Sequence, residues 1–278
     1  MGYGDYSGSI RWHVSRGATM AELGQSFVLA LVAALVWQRI IFMIGKRLER
    51  IDVVDVGWGL TFIVIAVVMA ILHSPVNIAG AIVMALVIMW GGRLSWHIGQ
   101  RFRRSRLQDP RYTNLVRHYS PLLFWVHVYV RIFIVQALLA TIISLPVIVV
   151  LTAQPAMSMV AYAGMAVWIV GFVCEVVADA HLKSFLRTAK KNELMMTGLW
   201  KYSRHPNYFG EMLMWWGLAI FSCTTPYGWL GIVGALVITA LLAFVSGVPP
   251  AEARAASNKG WKAYKASTSV LVPWWPRG

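Results

Sequence analysis

Long apolar runs alternate with short polar, mostly basic ones along this chain. Seven apolar runs lie roughly at 26–44, 57–73, 76–98, 122–152, 158–178, 208–223 and 227–247. Each is long enough, or nearly so, to cross a bilayer, which takes about 20 apolar residues of helix. The fourth is too long for one straight span and predicts a tilt, or a kink near Pro146. The sixth is short, as fits a helix whose first turn does polar work among headgroups. The pattern therefore predicts an all-α, polytopic integral membrane bundle of about seven transmembrane helices. Residues 1–25 read as an N-terminal surface tail without the apolar stretch of a cleavable signal peptide. Residues 26–278 read as a single membrane domain.

Composition agrees with the pattern. The chain of 278 residues is 58% hydrophobic and 13% charged, about half the charged share of a soluble domain. The net charge of +14 could indicate a nucleic-acid partner, but its placement excludes that class. Of 25 basic residues, 20 fall in the loops after the first, third, fifth and seventh runs, or in the tail that follows. The alternate loops, 74–77, 153–158 and 223–227, contain no Lys or Arg. The positive-inside rule makes the basic side the cytoplasm, with the N-terminus outside and the C-terminus cytoplasmic. Cys174 and Cys223 lie far apart in apolar segments, and no His/Cys cluster has metal-binding spacing.

The candidate chemistry sits on the basic side. In 197–211, TGLWKYSRHPNYFGE, Pro206 suits the first turn of a helix that then turns apolar. Free N–H groups at that helix start, with Lys201, Arg204 and His205, form a setting for phosphate. The same residues also read simply as topology markers and an interfacial aromatic belt. In 50–60, RIDVVDVGWGL, Asp52 fits a helix cap, whereas Asp55 lies a turn deeper and is a candidate proton donor or relay. In 93–112, RLSWHIGQRFRRSRLQDPRY, Arg93, His97 and Arg101 share one helix face and either hold phosphate or snorkel to headgroups. Asp109–Pro110 reads as a turn, and Tyr112 after it is a possible phenolic donor. In 174–187, CEVVADAHLKSFLR, Glu175, Asp179, Lys183 and Arg187 form one polar stripe. These pair with one another, or the acids accept ribose or amide hydrogen bonds while the bases meet phosphate. An intramembrane acid such as Glu175 is a functional candidate by default. In the tail, 246–276, Glu252, Arg254, Trp261 and Tyr264 fall on a surface helix, and Trp274 and Trp275 resemble an interfacial anchor.

Four pieces occur in one order: DVVDVGWG, CEVVADAHLKSFLR, GLWKYSRHPNYFGE, and SGVPPAEAR followed by WKAYKASTSVLVPWWP. Together they resemble the steroid 5α-reductase-like superfamily, in particular its bacterial branch of membrane proteins. The RHPxY piece is also similar to isoprenylcysteine carboxyl methyltransferases and phospholipid methyltransferases, so it speaks for an architecture and not for one chemistry. The acidic stripe and the single Glu252, where methyltransferases usually carry paired glutamates, favour the reductase branch.

The resemblance implies NADPH in a cavity facing the cytoplasm of the bacterial inner membrane. It places Asp179, Asn207, Tyr208 and Glu211 at the cofactor and Arg187, Arg204 and His205 near its phosphates. Arg93, Arg101, Glu175, Lys183, Glu252, Arg254 and Tyr264 complete the candidate cofactor set; no metal is implied. The implied reaction is hydride addition to an activated C=C bond of a lipophilic enone, with an acid polarising the carbonyl. The sequence departs from the steroid reductases in one respect. Their early-span glutamate and following-span tyrosine correspond here to Asp55 and to Trp90 or His97. Asp55, His97 and Tyr208 are thus the candidate catalytic groups, with Tyr112 as a substitute. The expected partners are membrane lipid and a lipophilic small molecule, for a monomeric enzyme. An S-adenosylmethionine-dependent methyltransferase and a non-catalytic lipid-binding protein are the alternatives.

Overall fold

The computed structural model describes residues 18–105, 107–190 and 192–276. Residues 1–17 of the expected tail, and Arg106, Lys191 and Arg277 of the basic loops, lie outside the described residues. The structure is 75% helix, with no strand among the described residues.

The first helix, α1 (Met20–Leu48), starts several residues before the apolar run that predicts it. Thr19 caps it: its side chain accepts from the Glu22 amide, and Glu22 reaches back to the Thr19 amide at 2.7 Å. After α2 (Val53–Leu72) and α3 (Ile78–Arg104), a short helix, α4 (Pro110–Val116), lies across the basic end. Then α5 (Phe124–Val128), a π-helical segment (Tyr129–Ile134) and α6 (Val135–Ile143) form one run. The expected break follows at once: α6 ends at Ile143 and α7 (Leu145–Ala153) begins one residue later, with Pro146 in its first turn. Proline lacks an N–H and crowds the carbonyl one turn back, so the helix cannot continue straight through.

The chain returns through α8 (Met159–Thr188), a 3-10 turn (Gly198–Lys201), α9 (Pro206–Ser222) and α10 (Leu230–Ala240), which passes through a second π-helical segment (Leu241–Val245). Two short helices, α11 (Val248–Ala255) and α12 (Trp261–Ser267), finish it. Six helical runs are long and apolar enough to cross a membrane. The remaining helix, α9, has 17 residues, at the short limit for a span, and lies antiparallel along α8.

That pairing is set by glycine. A Cβ on Gly171 would lie 2.6 Å from the Gly210 carbonyl oxygen, and one on Gly164 would lie 2.6 Å from that of Gly217. Only a residue without a side chain lets two backbones come so close, as small-residue faces do in membranes. The contact brings the acidic stripe of α8 against the first two turns of α9. Across the bundle, Phe62, Trp90 and Trp215 form the aromatic core, with ring centroids 5.0–5.2 Å apart. Trp90 is 2% exposed and belongs to this core.

Candidate functional site

At the basic end, α4 is held against the start of α2. Asp109 caps α4, accepting from the Arg111 amide at 2.9 Å. Asp52, expected as a helix cap, makes no capping bond to α2. Instead it accepts from the Asp109 amide at 3.2 Å and pairs with Arg50 at 2.6 Å. These ties fix the side chains that follow. The Tyr112 hydroxyl donates to Asp55 Oδ1 at 2.6 Å, and Arg111 Nη2 reaches Asp55 Oδ2 at 2.7 Å. Tyr112 is 8% exposed, and burial, reinforced by the Asp55 carboxylate, holds its phenol well above the usual range. It is therefore a neutral O–H at physiological pH.

This group closes one end of a cavity of about 510 Å³, within the range of pockets that hold small organic ligands. The walls are mainly apolar and include Trp58, Leu94, Ile98, Leu139 and Ile238; the polar lining includes Asp55, Arg101, Arg111, Tyr112, Gln136, Tyr208, Glu211 and Arg254. Both π-helical segments contribute to it, through Ile132 and through Leu241, Leu242 and Val245. Such segments recur at functional sites. Gln136 Oε1 is buried without a partner. Arg101 and Arg254 are exposed and form no ion pair among the described residues. Arg131, 5.4 Å from the Tyr119 ring centroid, is a third exposed cation of the lining without an ion pair among the described residues. Three such cations beside carboxylates, phenols and an apolar chamber fit a ligand that carries phosphates at one end and a flat apolar group at the other.

Behind Glu211 lies a second acidic cluster. Arg93 bridges Glu175 and Asp179, the latter at 2.5 Å, and Asn207 Nδ2 donates to Asp179 Oδ1 at 3.3 Å. The expectation that Glu175 and Asp179 pair with bases on their own helix is corrected: their partner comes from α3. Lys183 and Arg187 are left exposed without ion pairs among the described residues. Glu175 Oε2 and Asn207 Oδ1 are buried without partners.

The structure gives a third set a different setting from the one expected. Arg204 is 5% exposed and fully engaged: with Glu252 at 2.7 Å and with the carbonyls of Lys265 and Thr268 at 2.9 and 2.5 Å. Its amide also donates to the Ser269 carbonyl at 2.8 Å. The guanidinium thus fastens the C-terminal segment to the start of α9 and, at 5% exposure, is turned into the protein rather than towards the cavity. Glu252 is held by Arg204 and by Lys265 at 3.1 Å. The Tyr264 hydroxyl donates to the Trp200 carbonyl at 2.6 Å. His205 stacks on Tyr208, 5.4 Å between centroids, and burial pushes its pKa down to about 4, so it is neutral beside Glu252. His97 is exposed, makes no hydrogen bond among the described residues and does not line the cavity.

The comparisons with known proteins fit this geometry. Residues 41–268 match the family described as "Protein of unknown function (DUF1295)". The chain belongs to the DUF1295 family. That family is part of the steroid 5α-reductase-like superfamily. Over 61 residues the chain is also 34% identical to Delta(14)-sterol reductase erg24 of Schizosaccharomyces pombe. The stretch is 21% of this chain and 14% of that protein. No solved structure matches the chain.

In this DUF1295 chain, sequence reasoning passed over Arg111 and Gln136 and ranked Tyr112 as a substitute. The signals were present but faint: a cap-forming Asp109–Pro110 just before Arg111 and Tyr112, and one amide in a mainly apolar run that also carries His127 and Arg131.

Proposed function

We propose that this protein is an integral membrane reductase that uses NADPH to saturate an activated C=C bond in a lipophilic enone, its site opening to the cytoplasm. The observation that carries the reading is the buried Tyr112 hydroxyl, bonded to the half-buried Asp55 that Arg111 also holds, at the polar end of an apolar-walled cavity. When bound, NADPH supplies a hydride. Arg101 and Arg254 would meet its phosphates, and Glu211, Asn207 and Tyr208 its amide and ribose groups. The apolar walls take the body of the substrate and exclude water.

Reduction adds a hydride at the β-carbon while negative charge gathers on the carbonyl oxygen; the enol or enolate so formed would take its α-carbon proton from solvent as the product leaves. Tyr112 Oη holds the hydrogen that meets this charge. With Asp55 ionised, that hydrogen is tied to the carboxylate. With Asp55 protonated, the carboxyl can donate to Tyr112 Oη, and the phenol hydrogen is free to turn to the carbonyl. Arg111 keeps the carboxyl in place throughout.

The superfamily resemblance leaves methyl transfer from S-adenosylmethionine as the second reading. Thermal unfolding of the purified chain with each cofactor separates them, because a ligand that binds only the folded state raises its Tm. A rise with NADPH and none with S-adenosylmethionine is expected. The reverse result would overturn the reductase reading.

A further inference from the structure

A second concavity lies outside the cavity, on the outer face of the α2–α3 pair. It has a volume of about 450 Å³ and is lined by Val56, Leu60, Ser95, Trp96 and Phe102, with Gly92 and Gly99 on its floor. An added Cβ at Gly92 would meet nothing within 4 Å, and one at Gly99 only the Val56 side chain at 3.6 Å. The Gly92–Gly99 spacing is that of the glycines of α8, which take a helix against them; among the described residues α3 has none there. Ser95, 6% exposed, is part of the floor, and its hydroxyl has no partner. Arg103 stands at the basic end, its guanidinium 5.5 Å from the centroid of the exposed Trp96 ring. It forms no ion pair among the described residues.

We infer that this groove holds one anionic phospholipid of the leaflet on the basic side, headgroup phosphate at Arg103 and acyl chain along Gly92 and Gly99. Length favours a lipid over a spanning helix. From Gly92 to Arg103, α3 rises about 16 Å, close to half of a hydrocarbon core of about 30 Å. Charge argues against a second, parallel copy of this chain. It would set the Arg101, Arg103 and Arg104 end of one α3 against that of the other. An anionic headgroup satisfies the same charges, as anionic lipid surfaces do for basic segments beside a membrane. The Trp96 ring suits the headgroup level, where aromatic side chains gather. The inference does not depend on the proposed reduction.

Native mass spectrometry of the full chain in detergent, with phosphatidylglycerol or phosphatidylcholine added at equal concentration, tests it. The unmodified chain is expected to retain one phosphatidylglycerol at least about five-fold more than phosphatidylcholine. Gly92→Leu, which fills the floor where nothing crowds a side chain, should remove that retained lipid. Arg103→Gln should abolish the preference between the two lipids while the protein stays folded. Equal retention of both lipids by the unmodified chain would overturn the inference. So would undiminished retention in a folded Gly92→Leu variant, or a dimer that takes the place of the lipid-bound monomer.

Discussion

Two clusters at the same end of the bundle use nearly the same residue types to opposite effect. In one, Arg204 meets Glu252, and the buried guanidinium is held by the chain's own carboxylate and carbonyls. In the other, Arg111 meets Asp55, and a phenol completes the group. This second cluster borders about 510 Å³ of space, whereas the first is packed under the C-terminal segment. A charged residue near the membrane thus identifies a site only when its surroundings leave chemistry unspent. Sequence cannot make that distinction, because both clusters read as arginine near an acid beside an aromatic.

The largest effect expected from breaking this contrast is on turnover. Tyr112→Phe removes one oxygen from the open cluster. It should lower turnover by about 10²–10⁴-fold, the usual contribution of a positioned acid, with cofactor affinity unchanged. Steady-state kinetics with an accepted enone would show it; an unchanged turnover number would return Tyr112 to a structural role. The next effect is on stability. Arg204→Met leaves Glu252 short of its main partner and should cost about 3–5 kcal/mol, as removal of one member of a buried pair does. Chemical unfolding measures it. The account also requires that Arg204→Met protein that remains folded keep its NADPH affinity.

A smaller effect is expected at the cavity's exposed cations. Arg254→Gln should weaken NADPH binding by about ten-fold in dilute buffer and by less at high salt, where exposed charges are screened. Titration at two ionic strengths reads it, and a salt-independent change would count against a phosphate contact. The smallest concerns His205. Its folded pKa, about 4, lies below the ordinary 6.5. Between those values the unfolded chain binds the extra proton, so stability rises with pH across this window. The contribution is complete above about pH 6.5 and is lost as pH falls towards 4. Thermal unfolding across that range should show a shallower slope in His205→Gln than in the parent.

How much was legible in the sequence follows from the same distinction. The membrane crossings were readable because apolar length and loop charge each act locally. The break near Pro146 was readable for the same reason, since a missing N–H acts within one helix. The acidic stripe on α8 was also visible, but not its partner. Arg93 lies more than 80 positions away, and only the glycine-set approach of α8 and α9 fixes which acids it can reach. His97, Tyr112 and Tyr208 could not be told apart in the sequence, because only the fold brings the capped surface helix of Tyr112 against Asp55. The setting of Arg204 was not legible, because its partners arrive from the far end of the chain.

The most direct test follows deuterium. NADPH carrying deuterium at its transferable position is incubated with the purified chain and a lipophilic enone, and the product is weighed by mass spectrometry. The account predicts a saturated ketone labelled at the β-carbon with the parent chain, and a loss of about 10²-fold or more in its rate of formation with Tyr112→Phe. Label incorporated at the same rate by both proteins, or found in no product from any enone that enters the cavity, would contradict it.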